Sequence, residues 1–179
     1  MRSSYASEYG LAIFKLAAET GAQKEIFDDF AAVRDVLCGN GELMRLLSNP
    51  RLSRAERAEV VENIFGGRIN RYLLNALKIL AEKRHCGMVD KCWLEYRNRY
   101  CEANNILAVS AVSAVEMSQS QKKRLIDTLA KNTGSSILLS CKVDKSCIGG
   151  IRLEYGGKRY DASVRQKLES LKRSLTSGY

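Results

Sequence analysis

The residues able to do covalent chemistry are few, and their spacing works against it. A catalytic serine or cysteine needs a base within hydrogen-bond reach. The sole histidine, His85, adjoins Cys86 in sequence at a helix end, where local geometry does not aim one side chain at the other. The six cysteines, Cys38, Cys86, Cys92, Cys101, Cys141 and Cys147, include no C-x-x-C pair, the spacing that zinc and redox sites favour. With one histidine, a Cys-His metal site would need distant cysteines to converge on it, so the cysteines read as reduced, semi-buried thiols. Asp144 and Asp161 resemble a carboxylate pair, but each stands close to a serine at a strand end, where an aspartate reads as a turn or helix cap. Gly149-Gly150 could cradle a phosphate, yet no G-K-[ST] follows and the next element reads as a strand. That pair reads as a structural turn or bulge. No catalytic residue, cofactor or metal is expected.

Composition points the same way. The chain of 179 residues is 45% hydrophobic and 27% charged, an ordinary soluble balance with enough apolar residues for a real core. Its longest apolar stretches, such as Ile106 to Val115, fall far short of the roughly 20 residues that span a bilayer. The N-terminus runs into an amphipathic helix without the apolar block of a secretory signal, so cytoplasmic residence is the default expectation. The net charge of +9 is unevenly spread. Residues 1–104 carry 16 Lys+Arg against 14 Asp+Glu, and residues 105–179 carry 13 against 6. A half that basic faces something acidic: nucleic acid, anionic lipid or an acidic protein surface.

Periodicity divides the chain at the same place. Helices are predicted from Tyr5 to Ala18, Gln23 to Leu37, Glu42 to Leu47, Arg54 to Phe65, Asn70 to Arg84 and Met88 to about Ala103. Ser53 to Glu56 reads as a capping box, and Asn49-Pro50 as a break. At Asn104-Asn105 the pattern turns to alternation, with Leu107, Val109, Ala111 and Ser113 on one side of a strand. A helix from Ser118-Gln-Ser-Gln121 to Asn132 follows, then strands at Ser136 to Asp144 and Cys147 to Tyr155. A Gly156-Gly157 turn leads into Lys158 to Tyr160, and a last helix spans Val164 to Leu175. The fold class expected is α+β: an N-terminal all-α six-helix bundle over 1–104, then a small basic α/β domain with a short mixed sheet over 105–179.

Two helices carry more apolar surface than their own packing needs. Between Asn70 and Arg84, Leu73, Leu77 and Leu80 form one stripe and Tyr72, Ala76 and Ile79 a second. In the first helix, Tyr5, Tyr9, Ala12 and Ile13 lie beside Leu11, Phe14 and Ala18. A second stripe marks either a central position in the bundle or a docking surface for a partner helix, and small residues such as Ala12 and Ala76 let a helix approach closely.

Three segments resemble one known family over nearly the whole chain: the delta subunit of F-type ATP synthases, called the oligomycin-sensitivity-conferring protein in mitochondria. Tyr9-Gly-Leu-Ala12-Ile-Phe14 is similar to its opening Tyr-Ala-x-Ala-Leu-Phe motif, with Gly10 and Ile13 as departures. Asn75-Ala-Leu-Lys-Ile-Leu-Ala-Glu82-Lys-Arg84 resembles its fifth helix, with Ala76 where a bulkier residue is common. Val143-Asp-Lys-Ser-Cys-Ile-Gly-Gly150-Ile-Arg-Leu, followed by Asp161-Ala-Ser-Val-Arg165, resembles its C-terminal pattern. The resemblance implies a non-catalytic stator subunit. Its helical domain would bind N-terminal helices of the alpha subunits in a groove between the first and fifth helices. Its C-terminal domain would meet the C-terminal end of the peripheral-stalk b subunit. By position, Tyr9, Ala12, Ile13, Ala76, Ile79 and Lys83 become the expected partner-binding residues, and Asp144, Gly149, Gly150 and Asp161 structural ones. The implied location is peripheral, on the cytoplasmic face of a bacterial inner membrane or, alternatively, the matrix side of the mitochondrial one. The competing reading from charge alone is a helical nucleic-acid-binding protein, against which the basic half offers only Tyr155, Tyr160 and Tyr179 as stacking aromatics.

Overall fold

The computed structural model describes residues 2–166 and 168. The chain divides into two compact units, Met1–Tyr100 and Cys101–Tyr179.

The first unit is helical: α1 (Arg2–Glu19), α2 (Gln23–Gly39), α3 (Gly41–Ser48), α4 (Arg54–Phe65), α5 (Arg71–Glu82), a 3-10 turn at Cys86–Met88, and α6 (Val89–Ala103), which ends beyond the division. Each helix buries one stripe. The stripes include Ala6, Ile13 and Ala17 of α1, Ile26, Phe30, Val33 and Leu37 of α2, and Leu73, Leu77 and Leu80 of α5, and they form a single core. Aromatic rings hold α2 against α6, with Phe30 edge-on to both Trp93 and Tyr96 at centroid separations of 5.6 and 5.8 Å. The Tyr96 hydroxyl donates to the Gln23 carbonyl at 2.8 Å, which satisfies the one polar group on an otherwise buried ring. Helix ends follow local chemistry. Ser53 and Glu56 form a reciprocal capping box on α4. α1 stops at Gly21, whose φ of +67° lets the amides of Ala22 and Gly21 turn back to the carbonyls of Ala17 and Ala18.

The second unit contains β1 (Ile106–Ser113), α7 (Gln119–Thr133), β2 (Ser136–Val143), β3 (Ile151–Tyr155) and β4 (Lys158–Asp161). The sheet order is β2-β1-β3-β4. β1 and β2 run parallel with Ile106 opposite Ser136, joined by α7, and β1 pairs antiparallel with β3, Ala111 opposite Leu153. A parallel pair needs such a crossover, and the reciprocal capping box of Ser118 and Gln121 starts its helix. Val109, Ala111 and Ser113 are buried, so one side of β1 faces the core, as their alternation indicates. Gly156 and Gly157 take φ of +55° and +72°, the geometry of a tight hairpin between β3 and β4.

The strand expected from Cys147 begins four residues later, at Ile151. Lys145–Cys147 is instead a 3-10 turn whose first amide accessible to a cap, that of Ser146, donates to the Asp144 carboxylate. Ile148 (φ +63°) and Gly150 (φ +80°) then take left-handed or near-left-handed backbone that a strand cannot contain. The last helix is present at residues 164–166 and 168, and the rest of its expected span to Leu175 lies outside the described residues.

Candidate partner-binding site

α5 is held at both ends by polar contacts that leave its second stripe uncovered. At the N-terminus, the Asn70 side chain accepts from the Tyr72 amide, and the Asn70 amide donates to Asp29 Oδ2 at 2.7 Å. At the C-terminus, the amides of His85 and Arg84 return to the carbonyls of Leu80 and Ala81, with Arg84 at φ +59° where glycine is usual. A guanidinium adds a second donor to the Ala81 carbonyl and supplies one to that of Glu82. Arg57 of α4 is 2% exposed and donates to Ala81 O and Glu82 O at 2.9 Å each, and to Leu52 O. A cation at this end also opposes the helix dipole.

Along α5 thus anchored, Leu73, Leu77 and Leu80 are buried, Tyr72 and Ala76 pack only partly on the core, and Ile79 is 45% exposed. On α1 the order is similar: Ala6, Ile13 and Ala17 are buried, Tyr9 is half-buried, Ala12 is exposed and Tyr5 is 50% exposed. The two helices touch. Lys83 Nζ stands 6.0 Å from the Tyr9 ring centroid, and the His85 ring lies 6.2 Å from Tyr9 and 6.3 Å from Tyr5. The structure therefore brings Tyr9, on α1, beside Lys83, at the end of α5. Ala12, Ala76 and Ile79 lie on the same partly exposed stripes of these helices. Ile13 differs: at 5% exposed it belongs to the core, because it shares the buried stripe with Ala6 and Ala17 rather than the outer one with Tyr9 and Ala12. A face of this kind, apolar and flanked by an aromatic ring and a cation, suits an amphipathic helix.

α1 is also seated closely. A Cβ at Gly10 would lie 2.7 Å from both the Cys92 carbonyl oxygen and Glu95 Cβ, so α1 meets the backbone and the Glu95 side chain of α6 where only a glycine fits. Spacing within α1 carries no trace of this contact, whose other half is some 80 residues away. Arg57 was likewise absent from the expected set, although Arg57, Val61 and Phe65 repeat at four-residue spacing and so place a cation on a buried stripe.

The residues of covalent interest are disposed otherwise. Cys86 and Cys92 are buried, and desolvation pushes each thiol up to about 11, away from the thiolate a nucleophile requires. Asp144 and Asp161 act as caps: their Oδ1 atoms accept the amides of Ser146 at 2.9 Å and Ser163 at 3.0 Å. Those serine contacts, with lesser help from Arg152 and other arginines, hold both carboxyls below the ordinary carboxylate value. A depressed folded value means that each cap's contribution is present above the unfolded carboxylate range and is lost as pH falls through the lowered value. The Ser146 and Ser163 amide signals in an NMR titration are accordingly expected to move with midpoints below about 3.9; midpoints above that would refute the capping role. A Cβ on Gly150 would lie 2.4 Å from the Ala162 carbonyl oxygen, and one on Gly149 3.2 Å from the Val164 side chain.

Comparison with known proteins gives one answer. The family model described as ATP synthase delta (OSCP) subunit matches residues 5–175. The chain is 29% identical over 174 residues to ATP synthase subunit delta of Halalkalibacterium halodurans, covering 97% of this chain and 95% of that one. It is 31% identical over 171 residues to the protein of the same name from Fuscovulum blasticum, covering 95% and 92%. A chain in the cryo-EM structure of the Toxoplasma gondii mitochondrial ATP synthase hexamer shares the fold, with a TM-score of 0.73 at 18% identity over 96% of this chain and 97% of that one.

Proposed function

The chain belongs to the ATP synthase delta (OSCP) subunit family, and from that premise we propose that it is the joint through which the peripheral stalk holds the catalytic head still. It is a subunit of an F-type ATP synthase and a component of the peripheral stalk. In such a machine the rotor's torque would carry the head round with it unless something fixed to the membrane sector held it. That task requires affinity and rigidity, not bond-making, which agrees with the unactivated cysteines and capped aspartates. On this reading the α1–α5 face receives N-terminal helices of the alpha subunits, with Tyr9, Ala12, Ala76, Ile79 and Lys83 in contact. The α/β unit meets the C-terminal end of the b subunit. No helix among the described residues is long and apolar enough to cross a membrane. The protein is held at the membrane peripherally, through the complex, on the side of the catalytic head: cytoplasmic in a bacterium, matrix in a mitochondrion.

The observation that carries the reading is the pair of partly exposed apolar stripes on α1 and α5, meeting where Lys83 stands over Tyr9. A few apolar anchors supply most of the affinity of such a surface. Calorimetric titration with a synthetic peptide from the N-terminus of the cognate alpha subunit is expected to show binding that Ala12→Asp weakens by at least about tenfold, since the charge would be desolvated under the arriving helix. Ala12 is exposed, so the variant folds. Absence of heat, together with absence of a complex with the intact catalytic head, would overturn the assignment of this face.

A further inference from the structure

The charges of the helical unit are not mixed evenly. Six of its 16 cations, Arg51, Arg54, Arg57, Lys83, Arg84 and Lys91, line two cavities at the C-terminal end of α5, against one of its 14 acids up to residue 104, Glu82. The cavities measure about 760 and 640 Å³ and share Lys83, Arg84 and His85. They therefore form one trough running past the 83–85 turn. Among the described residues, none of the six cations is in an ion pair.

Two of the six have work inside the fold, since Arg57 is committed to three carbonyls and Arg84 donates to Pro50 O at 3.1 Å. The other four are exposed, Lys83 with its Nζ 6.0 Å from the Tyr9 ring centroid. Arg84 is also held at φ +59°, a conformation that favours glycine over any residue with a side chain. The position thus retains a cation where the backbone favours none.

We propose that this trough is a binding site for an acidic polypeptide segment, laid past the 83–85 turn with carboxylates on Arg51 and Arg54 at one end and on Lys91 at the other. Three features choose a polypeptide over a small anion. The free cations come from three separate places, the α3–α4 connection with the start of α4, the turn after α5, and α6, rather than converging on one point. Each cavity also offers apolar surface, Leu52 in one, Tyr5 and Met88 in the other, suited to the stems of acidic side chains. A lone phosphate would occupy a small part of either cavity and leave most of the charge unmatched. The trough adjoins the α1–α5 face, with which it shares Tyr5 and Lys83, but Arg51, Arg54 and Lys91 lie outside that face, and the proposal does not depend on the stator reading.

The test is fluorescence anisotropy of the full chain with a labelled oligoglutamate peptide, inorganic tripolyphosphate serving as the competing probe. Arg51→Glu/Arg54→Glu and, separately, Lys91→Glu are each expected to weaken the peptide about tenfold. Lys122→Glu/Lys123→Glu, on α7 of the basic second unit, is expected to leave it unchanged. Circular dichroism melting establishes that the variants fold, and a second charge-neutral pair, Arg51→Gln/Arg54→Gln, should show a smaller loss of the same kind. Binding that survives the trough variants and falls with the α7 pair would overturn the proposal in favour of general attraction to the basic unit. Tripolyphosphate binding in the trough without peptide binding would overturn it in favour of a phosphate site, and no binding of either would remove it. Ala12→Asp should not affect this binding, so the two assignments fail independently.

Discussion

Arg57→Ala is expected to destabilise the helical unit by about 3 kcal/mol. The side chain is 2% exposed, and its three hydrogen bonds reach Leu52 O before α4 and Ala81 O and Glu82 O at the end of α5. Truncation takes the guanidinium from the Leu52 and Glu82 carbonyls in a partly buried place, each loss costing about 1 kcal/mol or more, leaves Ala81 O with the Arg84 amide alone, and empties the volume of a long side chain. A guanidinium is the only side chain that meets three acceptors with a planar fork. Arg57→Lys, with the charge but not the fork, should therefore recover only part of the loss. Denaturant unfolding followed by helical signal should show a lower midpoint at unchanged slope. A loss under about 1 kcal/mol would mean that solvent replaces the guanidinium at little cost.

Gly150→Ala should damage the second unit by a similar amount, about 3 kcal/mol, for a different reason. At φ +80° an alanine meets backbone strain of about 1–2 kcal/mol. Its Cβ would stand 2.4 Å from Ala162 O and 3.0 Å from Ser163 Cα, so the segment leading into the last helix must shift. Overpacking of that order costs about 1–3 kcal/mol. The same segment is tied by the Ala162 amide to Ile151 O at 3.0 Å and by the Val164 amide to Gly149 O at 2.9 Å. Hydrogen exchange at these two amides should accelerate more than at the β1–β2 ladder. Gly149→Ala provides the contrast, because its Cβ would meet only the Val164 side chain at 3.2 Å, and the loss should be smaller. Equal losses at the two glycines would refute the assignment of the strain to Gly150.

Features written in short-range chemistry were readable from the sequence. Both capping boxes, at Ser53 and Ser118, are four-residue patterns whose partners lie within one turn, and both form. The surplus stripe on α5 was readable because buried and exposed sides of a helix repeat every three to four residues, and Leu77 and Ile79 fall on opposite sides of that divide. What alternation cannot reveal is backbone sign. Cys147 to Gly150 read as the start of a strand, whereas two positive φ angles bend the chain until Ile151. Carrying positions over from a resemblance has its own limit: Ile13 came with Tyr9 and Ala12 as a partner contact, and its side chain is in the core. Long-range devices were the least legible. The role of Arg57 depends on carbonyls 24 and 25 residues away.

Gly10 interrupts the resemblance by replacing the alanine common at that place, and its consequence is mechanical. The Cys92 carbonyl oxygen and Glu95 Cβ stand 2.7 Å from where a methyl group would be, so α1 lies against α6 at this turn with no room for one. Tyr9 and Ala12 lie within one turn of that contact. A coupling loaded first one way and then the other loses motion through backlash, the free play between mating parts before they bear. A close seat of this kind leaves little such play between α1 and α6 at that point of the helical unit.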